Sequence, residues 1–187
     1  MLLATRNQHK VAEIEKIVGD VVVVHKLDDL ININIPECGR TLLENSLAKA
    51  AFVFQLRGQA TLADDSGLFV DALDGEPGVF SARYGRDDEN RIERLLKNLA
   101  DKKNRKASFR AVFVYYFAHG RYEAFEGKCA GEISLVPKGR QGFGYDPIFV
   151  PDGYKKTFAE LGPATKNRIS HRARALEKFR KYLEQQR

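Results

Sequence analysis

Hydrophobic residues at the start of the chain change from a continuous run to helical spacing. Residues 1–4 form a short apolar run typical of a buried strand, and the polar segment 5–7 follows it. A helix ending at Gly19 is then indicated by apolar residues three or four positions apart: Val11, Ile14, Ile17 and Val18. The β-branched run 21–24 predicts a second strand, and an irregular stretch follows it through Pro36 and Gly39.

A second helix is predicted to begin after Thr41. Thr41 and Glu44 have the T-x-x-E spacing of a capping box, and Gly58 marks the expected end of the helix. The predicted apolar face comprises Leu43, Leu47, Ala50, Ala51 and Phe54. Residues 60–63 then predict a short buried strand that ends at the turn-forming residues 64–67. The two aspartates there are therefore expected to face a cleft.

The C-terminal half contains one more helix before its pattern becomes that of strands. Pro77 and Gly78 predict a turn, and the helix after it is indicated by Ile92, Leu95, Leu96 and Leu99. From Ala107 to a tight turn at 119–120, apolar residues occupy alternate positions: Phe109, Ala111, Phe113, Tyr115 and Phe117. Residues 122–125 are expected to return as a hairpin strand, and residues 131–136 to form another strand.

A glycine-containing loop precedes the last predicted helix. Gly139, Gly142 and Gly144 open the loop, which closes at Pro147. The helix begins at Ser170 and is predicted to bury Ala173, Leu176, Phe179 and Leu183. Helices alternating with strands, followed by antiparallel strands, predict an α/β fold with a mixed sheet.

Composition limits the class of protein. A chain of 187 residues that is 43% hydrophobic suits a single domain over residues 1–187. Cys38 and Cys129 lack the spacing of a zinc, redox or disulfide motif, which favours a cytoplasmic protein. Neither a membrane span nor a signal peptide is indicated. The net charge of +6 suits a polyanionic ligand, although the basic residues in 102–110 and 166–187 can also form solvated helix and loop faces.

Two groups of polar residues suggest phosphate and metal chemistry. Thr5, Asn7 and Lys10 lie at a strand-to-helix junction, where backbone N–H groups and the helix dipole favour phosphate. The alternative is that Asn7 only caps the helix and Lys10 is a surface residue. Carboxylates suited to Mg²⁺ are supplied by Glu37, Glu44, Asp64 and Asp65. Of these, Glu44 is also explained by the capping box and Asp64 by a turn.

Aromatic and basic residues near the C-terminus suggest recognition of a base. In the sequence Gly-Phe-Gly-Tyr-Asp-Pro at 142–147, Phe143 can stack on a base, or it can simply anchor the loop. Lys166, His171 and Arg172 place cations before and at the start of the last helix. Taken singly, His171 is more often structural and Arg172 a surface charge.

Taken together, these segments resemble the inosine triphosphate pyrophosphatase family over nearly the whole chain. The motifs that carry the resemblance are T-x-N-x-x-K at 5–10, E-x-G-x-T-x-x-E-N at 37–45, A-D-D-S-G-L at 63–68, P-G-x-x-S-A-R at 77–83, G-F-G-Y-D-P at 142–147 and S-H-R at 170–172. The chain departs from the family pattern at Arg6 and Gln141, where glycine is common, and at Leu42, where an aromatic is common. None of these changes removes a charged site residue.

The resemblance implies an α/β fold with a central mixed, twisted sheet flanked by helices, two lobes around a substrate groove, and a homodimer. It implies hydrolysis of ITP, dITP and XTP to the monophosphate and pyrophosphate, by attack of water at the α-phosphorus. The residues that it assigns to the substrate are Thr5, Arg6, Asn7, Gln8, His9, Lys10, Lys49, Ser66, Phe143, Gly144, Tyr145, Asp146, Lys166, His171 and Arg172. It further implies that Glu37 and Asp65 hold one or more Mg²⁺ ions, that Asp65 accepts the proton of the attacking water, and that Asp64 and Glu44 support the site.

The choice of base is expected to depend on Arg172, and two alternative functions are also considered. Arg172 could donate to the 6-oxo group of hypoxanthine or xanthine, whereas the amine of adenine would leave its guanidinium unpaired. This does not explain how GTP is excluded. The alternatives are a nucleic-acid-binding protein that uses its basic segments, and a pyrophosphatase for modified pyrimidine nucleotides. The main interpretation expects no nucleic-acid or membrane partner.

Overall fold

The computed structural model describes residues 1–26 and 38–186. The strands in these ranges are β1 (Leu2–Leu3), β2 (His25–Lys26), β3 (Thr61–Val70), β4 (Lys106–Ala118), β5 (Arg121–Ile133) and β6 (Phe149–Pro151). The helices are α1 (Gln8–Val18), α2 (Leu42–Arg57), α3 (Asp88–Asn98), α4 (Phe158–Ile169) and α5 (His171–Gln185), with short 3-10 segments at Asp71–Leu73 and Gly78–Arg83. Within these ranges, no helix is both long and apolar enough to cross a membrane.

The strands form one mixed sheet in the order β2-β1-β3-β4-β5-β6. β1 runs parallel to both β2 and β3, whereas β5 and β6 are antiparallel. β4 and β5 are neighbours joined by residues 119–120, and Gly120 has a φ of +69°, so the two long strands form a hairpin. The predicted α/β fold with a mixed sheet is confirmed.

Contacts within the chain define two compact units. The first unit comprises Met1–Asp65, Ala111–Gly127 and Arg172–Arg187. The second unit comprises Ser66–Arg110 and Lys128–His171. β3, β4 and β5 each contribute residues to both units.

Each unit has its own apolar core. In the first unit, α1, α5 and the strands bury Leu3, Val11, Ile14, Val18, Leu62, Ala111, Phe113, Phe125, Ala175, Leu176 and Phe179. In the second unit, β3, α3, β4, β5 and the segments around β6 and α4 contribute the buried residues Leu68, Val70, Tyr84, Ile92, Leu95, Leu99, Ala107, Phe109, Cys129, Ile133, Tyr145, Ile148, Phe149 and Phe158. The helical spacing predicted for α1, α3 and α5 therefore corresponds to buried positions, except that Ile17, Leu96 and Leu183 are only half-buried.

The prediction that a strand ends before Asp64 is wrong. β3 continues through Asp64, Asp65 and Ser66 to Val70, so both aspartates lie within a strand. Gly67 does not form a turn: a Cβ at this position would collide with the backbone carbonyl of Gly78. The glycine is needed for close backbone approach, which is a second common role of glycine in strands.

Three other strand predictions also differ from the structure. Residues 21–22 continue the turn after α1, because the N–H groups of Val21 and Val22 both donate to the carbonyl of Val18, and the strand begins only at His25. Residues 122–125 and 131–136 were predicted as separate strands, but β5 runs unbroken from Arg121 to Ile133. Its length equals that of β4, which pairs with it.

The buried face of α2 matches the predicted apolar face only at Ala50. The capping box and the end of the helix at Gly58 are confirmed. The buried residues are Leu42, Asn45, Ser46, Lys49, Ala50 and Val53. Leu43 and Phe54 are only half-buried. Apolar spacing misplaced this face because it contains three polar side chains that contact β3. Neither β6 nor α4 was predicted from the sequence, although Thr157 and Glu160 form a second capping box.

Candidate active site

The segment before α1 is an exposed loop that ends in a helix cap. The Asn7 side-chain oxygen accepts hydrogen bonds from the backbone N–H groups of His9 at 3.0 Å and Lys10 at 3.3 Å. The Asn7 N–H in turn donates to the Thr5 hydroxyl at 3.3 Å. The alternative prediction that Asn7 caps α1 is therefore confirmed. The side chains of Arg6, Gln8 and His9 are exposed around it.

Lys10 extends from α1 to a buried carboxylate in β3. Its Nζ lies 2.8 Å from Asp64 Oδ2, and the Nε of Arg172, at the start of α5, lies 3.8 Å from the same oxygen. Asp64 Oδ1 is buried and has no hydrogen-bond partner among residues 1–26 and 38–186. Burial, the largest influence, acts to raise the pKa of Asp64, but Lys10, Arg172 and Lys49 together hold that pKa below its ordinary value. Asp64 is therefore ionised at neutral pH.

Asp65 is held by the polar face of α2. Asn45 Nδ2 donates to Asp65 Oδ2 at 2.9 Å, and Lys49 Nζ lies 3.7 Å from Asp65 Oδ1. Asn45 and Lys49 are four residues apart, so both side chains project from the same side of the helix. The Ser46 hydroxyl donates to the carbonyl of Ala63 at 3.0 Å and fixes this side of α2 against β3.

The start of α2 is organised by backbone hydrogen bonds. The Glu44 carboxylate accepts from the N–H groups of Arg40 at 2.6 Å and Thr41 at 3.3 Å, so in this structure Glu44 serves the capping box. The side-chain oxygen of Asn45 accepts from the Gly39 N–H at 2.8 Å. Asn45 thus connects the segment after residue 38 to Asp65. Glu37, a predicted metal ligand, lies outside the described residues.

Three carboxylates and three cations form ion pairs among the described residues of the first unit. Glu13 Oε2 lies 2.6 Å from Arg172 Nη1, and both side chains are largely buried. The paired groups are the carboxylates Asp64, Asp65 and Glu13 and the cations Lys10, Lys49 and Arg172. Glu13 and Asn45 were not assigned a role from the sequence. The available signal for Glu13 was its position three residues after Lys10, on the same side of α1.

In the second unit, three of the predicted site residues contact one another. Lys166 Nζ lies 2.6 Å from Asp146 Oδ2 and 4.2 Å from the centre of the Phe143 ring. The same carboxylate oxygen accepts the Phe143 N–H at 3.0 Å. Asp146 and Lys166 are both buried, and their opposite charges offset the cost of removing each from water.

The loop around Phe143 is fixed on its other side as well. Gly142 and Gly144 have φ angles of +85° and +61°, which favour glycine. The Gly144 N–H donates to Asp88 Oδ2 at 2.6 Å, and the Tyr145 hydroxyl donates to the Ser81 carbonyl at 3.0 Å. Burial raises the pKa of Tyr145, so this hydroxyl remains a donor.

His171 packs against an aromatic ring, and Ser66 lies in β3. The His171 ring is buried and stacks on Phe109, with the ring centres 4.8 Å apart and the planes at 11°. Arg172 follows it at the start of α5, and its described contacts are with Glu13 and Asp64. Ser66 is half-buried in β3.

Asp64 and Asp65 are the candidate metal ligands among the described residues of the site. No cluster of three or more His, Cys, Asp or Glu suited to a metal occurs in the part of the chain that the structure describes. Asp64 and Asp65 nevertheless supply hard oxygen donors, and the buried Oδ1 of Asp64 lacks a hydrogen bond from those residues. One or two protein carboxylates suffice for Mg²⁺ bound together with phosphates. The described residues therefore fit such an ion.

Comparison with known proteins gives matches over nearly the full chain. A model of the Ham1 family matches residues 1–182. A dITP/XTP pyrophosphatase of Porphyromonas gingivalis is 44% identical, with 98% of this chain and 96% of the relative covered, and one of Aquifex aeolicus is also 44% identical, with 96% and 94% covered. A HAM1 protein structure from Coxiella burnetii has a TM-score of 0.90 at 38% identity, with 98% of both chains covered. The Ham1 protein of Staphylococcus aureus has a TM-score of 0.89 at 35% identity, with 100% of this chain and 98% of that chain covered.

Proposed function

Because the chain belongs to the Ham1 family, we propose that it hydrolyses non-canonical purine nucleoside triphosphates to the nucleoside monophosphate and pyrophosphate. It is a hydrolase that acts on the anhydride bond of nucleoside triphosphates, as its dITP/XTP pyrophosphatase relatives are by name. The structural observation that best supports this function is the buried set of ion pairs around Asp64 and Asp65, which joins cations suited to phosphate with carboxylates suited to Mg²⁺.

Charge exchange is the proposed basis of triphosphate binding. Lys10 and Lys49 are neutralised by Asp64 and Asp65 in the free protein. A triphosphate brings about three to four negative charges, so the two lysines can turn to the phosphates while the carboxylates turn to a cation. Thr5, Asn7 and the backbone of residues 6–9 would add hydrogen bonds to the phosphates at the start of α1.

Mg²⁺ is the proposed cofactor, with one or more ions per subunit. Asp65, assisted by Asp64, would hold the ion together with Glu37, the ligand that the family resemblance implies. When bound, Mg²⁺ neutralises phosphate charge and polarises the phosphoryl oxygens. Carboxylates bind Mg²⁺ well only when they are ionised, and Asp64 is ionised at neutral pH. We therefore expect the activity to require Mg²⁺.

Asp65 is the proposed proton acceptor. Water attacks the α-phosphorus and loses a proton to the Asp65 carboxylate, the bond from the α-phosphorus to the bridging oxygen breaks, and pyrophosphate leaves. Asn45 binds Asp65 Oδ2 and so orients the carboxylate. Lys49 Nζ lies 3.7 Å from the other carboxylate oxygen, Oδ1.

Base recognition is assigned to the residues around Phe143. The ring can stack on a purine, and the Gly144, Tyr145 and Asp146 segment holds it in place. Lys166 lies over one face of the ring and is held there by its ion pair with Asp146. Ser66, His171 and Arg172 complete the proposed contacts, with Arg172 donating to the 6-oxo group of hypoxanthine or xanthine.

The biological setting is also part of the proposal. We expect a homodimer in the cytoplasm that acts on free nucleotides rather than on nucleic acids or membranes. Neither Cys38 nor Cys129 forms a disulfide in the described part of the chain, which suits a reducing compartment.

Product analysis tests the reaction directly. The purified protein is incubated with Mg²⁺ and ITP, dITP, XTP, GTP, ATP or dUTP, and the phosphorus products are separated. We expect monophosphate and pyrophosphate from ITP, dITP and XTP, with loss of turnover in EDTA and in Asp65→Asn. Asp74→Asn, in an exposed turn, is the matched control and should retain activity.

Other outcomes would identify the alternatives. Diphosphate and phosphate as products would refute cleavage at the α-phosphorus. Preference for dUTP would favour a pyrimidine nucleotide pyrophosphatase. Absence of turnover together with salt-dependent binding of DNA or RNA would favour the nucleic-acid-binding alternative.

A further inference from the structure

A carboxylate at the start of α3 contacts the proposed base-binding loop. Asp88 is the first residue of α3, and its Oδ2 accepts the Gly144 N–H at 2.6 Å, across 56 positions of sequence. Its other oxygen, Oδ1, accepts from Arg91 Nη1 at 2.5 Å. The ion pair with Arg91 orients the carboxylate, so Oδ2 is presented to the loop.

The helix itself does not need this carboxylate as a cap. Asp87 is the N-cap residue, and its Oδ1 accepts the Asn90 N–H at 2.8 Å. Glu89 supplies a further negative charge in the first turn, where the helix dipole favours acidic residues. The described hydrogen bonds of the Asp88 side chain therefore serve Arg91 and the loop.

Two consecutive backbone N–H groups, those of Phe143 and Gly144, each donate a hydrogen bond to a carboxylate. The N–H of Phe143 donates to Asp146, and the N–H of the next residue donates to Asp88. Each carboxylate is paired with a cation, Lys166 or Arg91. Two charge-assisted bonds to consecutive N–H groups fix the backbone that carries the ring, and glycines on both sides of Phe143 would otherwise leave it with wide conformational freedom.

We propose that Asp88 is a positioning residue that sets the Phe143 ring for stacking on the purine base. The role given to the ring rests on the proposed function, whereas the hydrogen bond between Asp88 and Gly144 is seen in the structure. The proposal gives Asp88 no direct contact with the phosphates or the reacting atoms, because its described contacts are with Arg91 and Gly144. Its loss should therefore affect binding of the base far more than hydrolysis of bound substrate.

The first test compares Asp88→Ala with Asp87→Ala. Both variants remove one negative charge from the same turn, but only the former releases Gly144. We expect Asp88→Ala to raise the KM for ITP about tenfold, the effect of losing one charge-assisted hydrogen bond, with kcat little changed. Asp87→Ala should lower Tm by about 2–4 °C through loss of the cap and leave the KM unchanged.

Two further measurements separate positioning from general damage. Inorganic tripolyphosphate lacks a base, so its inhibition constant should be the same in Asp88→Ala and the parent protein. Asp88→Asn keeps a side-chain oxygen that can accept the Gly144 N–H, so it should restore most of the affinity for ITP. Equal weakening of ITP and tripolyphosphate, or no rescue by asparagine, would overturn the proposal.

A spectroscopic test does not depend on turnover. The chain contains no tryptophan, so Phe143→Trp places a single tryptophan probe in the loop. Adding Asp88→Ala to this variant should increase acrylamide quenching of the tryptophan, and adding Asp87→Ala should not. Unchanged quenching would refute positioning by Asp88. Absence of ITP turnover in the parent protein would instead refute the proposed function, and the quenching result would still measure the Asp88 contact.

Discussion

Replacing Asp64 by asparagine tests whether the buried ion pairs hold the first unit together at neutral pH. Asparagine keeps the size of the side chain and removes its negative charge. Lys10 Nζ at 2.8 Å and Arg172 Nε at 3.8 Å from Asp64 Oδ2 then face a neutral amide. Asp64 is fully buried, so water cannot readily replace the lost carboxylate.

The magnitude follows from these distances. At an effective dielectric constant of about 20, the attractions to Lys10 and Arg172 are about 6 and about 4 kcal/mol. Most of this is offset by the cost of taking the charges out of water, and removal of one partner from a buried pair destabilises proteins by about 3–5 kcal/mol. We expect the low end of that range, about 3 kcal/mol, because Arg172 keeps its ion pair with Glu13.

The effect should depend on pH with a defined sign. The pKa of Asp64 is lower in the folded protein than its ordinary value, so the folded state favours the ionised form. Its contribution to stability is therefore fully present above an unfolded-state pKa of about 3.9 and is lost as the pH falls from there through the lower folded-state pKa. Asparagine cannot titrate, so the difference between the two proteins should shrink below about pH 4.

Urea titration of both proteins at a series of pH values measures this difference. The comparison isolates Asp64, because all other carboxylates titrate in both proteins. Asp74→Asn, at an exposed position, serves as the control and should change stability little at any pH. A loss below about 1 kcal/mol at neutral pH, or a difference that grows as the pH falls, would refute the assigned role of the Asp64 charge.

Two further substitutions test the chemistry. Arg172→Ala should lower kcat/KM for ITP by about tenfold or more and change the much slower ATP reaction less, because only the 6-oxo base accepts the hydrogen bond of Arg172. Arg174→Ala, at an exposed position, is the control. An unchanged preference for ITP over ATP would remove Arg172 from base selection. Asn45→Ala should lower kcat for ITP by about 100-fold, because Asp65 loses the amide that orients it, and steady-state kinetics showing an unchanged kcat would contradict that role.

Local features of the fold could be predicted because their causes lie within a few residues of each other. The cap at Asn7 and the capping box at Thr41 join groups two to four residues apart, and the apolar periods of α1, α3 and β4 repeat within one turn or one pair of residues. The residue types of the candidate site were equally accessible, since the six motifs name Asp64, Asp65 and the basic residues directly.

Local pattern failed where a tertiary contact overruled it. Gly67 looks like a turn residue, yet it continues β3, because the backbone of Gly78 packs against it. The face of α2 chosen by hydrophobicity was wrong, since Asn45 and Lys49 are buried on Asp65 rather than in an apolar core. A buried polar face is favourable only when the partner carboxylate is present, and that partner lies 16 or more positions away in the sequence.

The sequence by itself determined the family, the type of fold and the chemistry available to the site. Only the tertiary structure decided which charges meet. Glu13 contacts Arg172 across 159 positions and Asp88 contacts Gly144 across 56, at distances fixed by the packing of helices and by the sheet. Such pairs leave no periodic trace in the sequence, because an ion pair requires only that two side chains of opposite charge be brought together, and the folded chain alone brings them there.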